Sequence, residues 1–169
     1  MIVLGFPCSE RLLYMKILVL SDIHGDYFRA REALDMVKSA EVVIFTGDGE
    51  KDIDRLEEQY PEKKFLKVRG NCDLGSSLPI ADSITLEGKK IFYTHGHMYN
   101  VKHTEYDVRN AAHDRGADIV IYGHTHQAVN EYKDDMWVMN PGSCHGYDAT
   151  FGTIDIQNGS VLTNIIHLK

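Results

Sequence analysis

Two residue pairs carry the densest chemistry in this chain: Asp22 with His24, and His124 with His126. In an extended backbone, residues i and i+2 point to one side, so each pair is expected to converge on a point in space. Three further clusters bring side chains of the same kind: Gly47-Asp48, Gly70-Asn71-Cys72-Asp73 and His95-Gly96-His97. Carboxylates and neutral imidazoles are ligands for divalent cations. Their mixture of hard oxygen and borderline nitrogen suits manganese, iron, zinc, cobalt or nickel over calcium or structural zinc. The candidate ligands are Asp22, His24, Asp48, Asn71, His95, His124 and His126. They are too many for one tetrahedral ion and suit two ions sharing a carboxylate, about 3.5–4 Å apart.

Each cluster has an ordinary alternative. Gly-Asp at a strand end is commonly a turn or a helix cap, and His103, His113, His145 and His167 read as ordinary surface or core residues. What sets the five clusters apart is placement, because each follows a stretch that reads as a strand.

The elements that must position them begin at Lys16–Leu20, a short apolar run read as a buried strand. Ala30, Ala33, Leu34 and Val37 follow at helical spacing. Glu41–Thr46 is a second strand, Ile53, Leu56 and Tyr60 mark a helix that Pro61 stops, and Lys64–Val68 is a third strand. Alternating strands and helices of these lengths predict parallel βαβ units, whose ligands lie beyond the C-terminal strand ends. The second half reads differently. A hairpin pairs Ser83–Leu86 with Lys90–Thr94 through Glu87-Gly88-Lys89, and a helix runs from about Thr104 to Arg115, with Val108, Ala111 and Ala112 inward, until Gly116 ends it. Asp118–Tyr122 is a strand. Ala128–Tyr132 and Met136–Met139 flank a Lys133-Asp134-Asp135 turn, and Thr150–Ile156 with Val161–His167 close across Asn158-Gly159.

The chain has 169 residues, 43% hydrophobic and 25% charged, which fits one domain with its own core. A formal charge of −7 argues against a stable grip on nucleic acid or an anionic membrane. No apolar run approaches the roughly 20 residues of a membrane span, and the three unmotivated cysteines (Cys8, Cys72, Cys144) favour a reducing cytoplasm. Residues 1–14 lack the pattern of a signal peptide. They are expected to be an N-terminal extension or the product of a mis-set start codon, with a single domain over 15–169.

Taken in order, Asp22-x-His24, Gly47-Asp48, Gly70-Asn71, His95-Gly96-His97 and Gly123-His124-x-His126 resemble the signature of the calcineurin-like metallophosphoesterase superfamily. The resemblance is to its small bacterial and archaeal phosphodiesterases, and it covers Lys16 to about Ser143, including Asn140-Pro141-Gly142-Ser143. It implies a four-layer α/β/β/α sandwich of two mixed sheets flanked by helices. By position, one metal would take Asp22, His24 and His126; the other would take Asn71, His95 and His124, with Asp48 bridging. Manganese is the first expectation. The implied reaction is hydrolysis of a small phosphodiester, nucleotide-like or otherwise, by a hydroxide bridging two metals. The small relatives of this branch commonly self-associate, which implies a dimer or tetramer.

Four residues are candidates for the remaining chemistry: Asn71, Cys72, Asp73 and His97. Many superfamily members carry histidine where this chain has Cys72. A thiol is a poor donor, so diesters and activated esters are expected over alkyl monophosphates. His97 is an alternative donor or a residue that orients its loop, Asp73 would orient neighbouring groups, and Asp26 would bond a metal-bound histidine. Arg69 would meet a phosphate or a surface carboxylate. The rival reading is a protein-binding scaffold on the same fold, as in the vacuolar sorting subunit of retromer; the intact Asn71 favours an enzyme.

Overall fold

The structure is a computed structural model that describes residues 14–169. The expected extension, Cys8 included, lies outside the described residues except for Tyr14, which already belongs to the first strand.

The first half is built on alternation. In β1 (Tyr14–Leu20), Ile17 and Val19 face one way and Leu18 and Leu20 the other, and all four are buried. Leu18 and Leu20 pack with Val43 and Phe45 of β2 (Val42–Phe45) against α1 (Tyr27–Met36) and α2 (Glu50–Gln59), through Ala30, Ala33, Leu34, Ile53 and Leu56. Ile17, Val19, Val42 and Ile44 face a second sheet. β1 runs parallel to β2 and β2 to β3 (Lys64–Lys67), and β9 (Thr150–Gln157) and β10 (Ser160–His167) complete the sheet in the order β10-β9-β1-β2-β3.

The second sheet has the order β4-β5-β6-β8-β7. Its strands are β4 (Ala81–Leu86), β5 (Lys89–Thr94), β6 (Ile119–Ile121), β7 (Val129–Lys133) and β8 (Met136–Asn140). Here too the faces divide: Ile91, Tyr93, Ile119, Ile121 and Met139 meet the first sheet. Phe92, Val120 and Val138 pack on α3 (Tyr106–His113) through Val108 and Ala112. The result is the expected α/β/β/α sandwich: two five-stranded mixed sheets face to face, with helices outside. Ala111 is only partly buried.

Two of the three hairpins turn more tightly than the sequence suggests. Leu86 pairs with Lys89 and Lys133 with Met136, so two residues rather than three make each turn. Glu87-Gly88, Asp134-Asp135 and Asn158-Gly159 all have positive φ at both positions. That is the primed turn whose twist matches the right-handed twist of the strands. Among the described residues, no helix is long and apolar enough to cross a membrane.

Ile121 is fully buried between the sheets. Ile121→Ala is expected to lower unfolding free energy by about 2–5 kcal/mol, measured by urea denaturation.

Candidate metal centre

Every candidate ligand stands just past a strand end, and β1, β2, β3, β5 and β6 all point theirs to one edge of the sandwich. The backbone that presents them is not extended. Asp22, His24, Asp48, His124 and His126 have φ of 52°, 46°, 62°, 69° and 58°. The two i, i+2 pairs therefore converge through left-handed turns, contrary to the extended geometry expected from the spacing. Asp and His are among the side chains that tolerate this region.

The ligand atoms fall into two groups that share one atom. Asp22 Oδ1 lies 3.1 Å from His126 Nε2 and 3.6 Å from His24 Nε2, and the two imidazole nitrogens are 3.2 Å apart. His95 Nε2 lies 3.1 Å from both Asn71 Oδ1 and His124 Nδ1. Asp48 Oδ2 stands between the groups, 3.9 Å from His24 Nε2 and 3.4 Å from His95 Nε2. All seven candidate ligands are thus brought together.

The surrounding bonds fix which atoms face inward. His95 Nδ1 donates to the Thr46 carbonyl at 2.8 Å, leaving Nε2 as the inward lone pair. Asp22 Oδ2 accepts from Ser21 Oγ at 2.5 Å and from the His124 N–H at 3.0 Å. Asp48 Oδ1 accepts from the Cys72 N–H at 2.7 Å. Burial works against ionisation of Asp48, but the bonds from His95 and Cys72 outweigh it and hold its pKa well below the usual carboxylate range. His124 is pushed down to about 4 by burial and by neighbouring His95. It is therefore a neutral imidazole at neutral pH, as ligation requires.

These residues fit a divalent cation. Asp22 Oδ1 is buried with no hydrogen-bond partner, which is costly unless something positive meets it. Two imidazole nitrogens bound to one cation at about 2.0–2.1 Å sit about 3.0–3.4 Å apart, which matches His24 against His126.

Asp73 holds the loops in place. Its Oδ1 accepts from the Gly49 and Glu50 N–H groups, both at 2.9 Å, and its Oδ2 from those of Asp48 and Gly70, both at 2.8 Å. One carboxylate so caps α2 and joins the Asp48 loop to the Asn71 loop. With both oxygens committed, it is an orienting group. Gly70 completes the junction: a Cβ there would stand 1.9 Å from Asp48 Oδ1.

The other expectations divide. Cys72 is exposed, and its thiol is raised chiefly by its hydrogen bond to Asp48, so it stays protonated. His97 lies on a short 3-10 turn (His97–Tyr99), its ring 5.4 Å from that of His95 and 6.2 Å from that of His124. Burial, His95 and Arg69 lower its pKa, and its buried Nδ1 has no partner. Asp26 does not bond a candidate ligand. It caps α1 through the Arg29 N–H and holds the Gly146 N–H at 3.0 Å, because the chain turns into the helix at that point. Phe151 is fully buried in the core under α1, and Tyr99 packs edge-on against Phe92. Tyr147 is 86% exposed.

A cavity of about 580 Å³ opens beside His24, Asp48 and Cys72. Leu74, Gly75 and Ser76 line it. Glu50, Lys51 and Asp52 line it too, and no motif marked them. His145, read as ordinary, places its ring 6.3 Å from that of His24.

Comparison with known proteins agrees with this geometry. Residues 15–159 match the model of the calcineurin-like phosphoesterase superfamily domain. The chain is 32% identical over 135 residues to the probable metallophosphoesterase YsnB of Bacillus subtilis, covering 76% of this chain and 75% of that one. It is 32% identical over 163 residues to a phosphodiesterase of Methanocaldococcus jannaschii, covering 84% and 92%. Among solved structures, a conserved protein of Streptococcus pneumoniae described as a predicted phosphoesterase superposes with a TM-score of 0.77 at 25% identity, covering 91% and 90%. Vacuolar protein sorting 29 of Cryptosporidium parvum shares the fold, with a TM-score of 0.72 at 16% identity over 92% and 98%.

Asp73→Asn replaces one acceptor oxygen by a donor and strands two backbone N–H groups. It is expected to lower stability by about 2–5 kcal/mol, read as a fall in the denaturation midpoint.

Proposed function

The chain belongs to the calcineurin-like phosphoesterase superfamily, and from that premise we propose that it is a metal-dependent phosphodiesterase working with two divalent ions, manganese foremost. The carrying observation is the sharing of Asp48 Oδ2 between two donor groups, one of Asp22, His24 and His126, the other of Asn71, His95 and His124. Such a bridge is what two adjacent cations need and a single structural ion does not.

Divalent cations held there supply Lewis acidity toward phosphoryl oxygens and bring the pKa of a coordinated water from 15.7 towards about 7. The residues do the rest. Asp22 and Asp48 bring two negative charges, so the loaded site keeps a surplus of positive charge for a phosphoryl group. Asn71, on an exposed loop, also donates through Nδ2 to Cys72 Sγ at 3.3 Å, which orients its oxygen toward His95. In the reaction a water oxygen bonds to phosphorus, the bond from phosphorus to the alcohol oxygen breaks, and the alcohol takes a proton.

That last proton decides the substrate class. Cys72 is held as a thiol, a weak hydrogen-bond donor, and His97 is held neutral. Neither is a strong acid for an unactivated alkoxide, so diesters and activated esters are favoured over alkyl monophosphates. The cavity of about 580 Å³ beside Cys72 is the place proposed for an arm of a small diester. A cytoplasmic, self-associating enzyme is the setting proposed for it.

The structural likeness to vacuolar protein sorting 29 keeps one other reading in view, a protein-binding scaffold. The complete ligand set favours the enzyme. Reconstitution with manganese, iron, nickel, zinc or cobalt separates the two: bis-p-nitrophenyl phosphate should turn over faster than any simple alkyl monophosphate, with two metals per chain by elemental analysis. Bound metal with no turnover across this series would leave the scaffold. Asp48→Asn is expected to lower kcat/KM more than about 100-fold, beyond the 10–100-fold typical of losing an outer partner of a metal ligand.

A further inference from the structure

Asn140-Pro141-Gly142-Ser143 stands out in the sequence, yet none of its side chains reaches the ligand atoms. Asn140 closes β8 and is fully buried. Its Nδ2 donates to the Gly123 carbonyl and to Thr125 Oγ1, both at 3.0 Å, and its Oδ1 accepts from the Gly142 N–H at 2.9 Å. Three residues on, Ser143 Oγ donates to the Asp22 carbonyl at 2.8 Å, and the Cys144 N–H donates to the Ser21 carbonyl at 2.9 Å. The turn between is pinned as well. Gly142 has φ +78°, and a Cβ there would stand 2.0 Å from Thr150 Oγ1, which itself donates to the Pro141 carbonyl at 2.7 Å.

One short segment therefore grips a loop from each sheet. Its head holds 123–126, which carries His124 and His126; its tail holds 21–24, which carries Asp22 and His24. Both loops have left-handed backbone at their ligands, a conformation that relaxes unless its surroundings over-determine it. The gap that matters, 3.1 Å from His126 Nε2 to Asp22 Oδ1, spans these two loops.

We propose that Asn140 and Ser143 are positioning residues that set His124 and His126 against Asp22 and His24, and so set the affinity of the centre for divalent cations. The inference rests on the reading of these side chains as metal ligands.

The test titrates the metal-free full-length chain with manganese and follows the free-ion signal by electron paramagnetic resonance. Asn140→Asp is nearly isosteric and keeps the acceptor for the Gly142 N–H, but it has no donor for the Gly123 carbonyl. It is expected to bind manganese 10–100-fold more weakly while the metal-free protein still melts cooperatively. Ser143→Ala is expected to lose about tenfold, the scale of an outer partner of a metal ligand. Manganese affinity within twofold of the parent in Asn140→Asp overturns the proposal, as does a loss no larger than the unfolded fraction accounts for. Should Asn140→Asp not fold, Ser143→Ala decides on the same criterion. A parent chain that takes up no divalent ion sinks the metal reading and this inference with it. A parent that binds manganese without hydrolysing any ester sinks only the activity, and the affinity comparison still stands.

Discussion

Left-handed backbone at the candidate ligands is the constraint on which the rest of this molecule depends. Asp22, His24, Asp48, His124 and His126 all adopt it, and each such residue with a Cβ costs roughly 1–2 kcal/mol outside favourable local bonding. The cost is met by bonds running between loops. The Asp22 N–H donates to the Gly47 carbonyl at 2.9 Å, the His24 N–H to the Asp48 carbonyl at 3.1 Å, and the Gly123 N–H to the His95 carbonyl at 3.1 Å. Each ligand loop is thus tied to the loop of a neighbouring strand, and no loop is set on its own.

Those ties rest on strands that are packed from both sides. β1 and β2 are buried on both faces between α1 and α2 on one side and the second sheet on the other. β5 and β6 are buried likewise between the first sheet and α3. The layers therefore hold the strand ends at fixed spacing, and the His124 N–H bond to Asp22 Oδ2 joins the two sheets directly at the centre. Gly123 permits that approach, since a Cβ there would stand 2.0 Å from Ser21 Oγ.

What the sequence revealed and what it hid follow from the same division. Residue type and order were enough to nominate all seven candidate ligands, because strand periodicity locates the strand ends and ligand chemistry admits few side chains. The path by which they converge was not legible. Spacing of i, i+2 suggests an extended backbone, whereas the left-handed turns arise from bonds to loops distant in sequence. Asp26 misled for a related reason: a carboxylate beside a ligand cluster and at a helix start has two uses, and only coordinates show that α1 takes it. Asp73 could be singled out as an orienting group, but its four backbone partners come from two stretches of chain, 48–50 and Gly70, that no pattern links.

Charge gives the arrangement its last consequence. The chain is acidic overall, and Asp22 and Asp48 lie buried at the centre, with Glu50 and Asp52 along the adjoining cavity and Lys51 the lone cation among its lining residues. In that state the pocket repels a phosphoester by Coulomb's law at short range, where low polarity strengthens the repulsion. Divalent ions at these residues invert the local field. The carboxylates that would exclude an anionic ester are the same groups that attract the cations it needs. An ester binding at this centre, as proposed, would therefore be coupled to cation occupancy. The coupling is set by buried charge at two aspartates and not by any basic side chain within the ligand set.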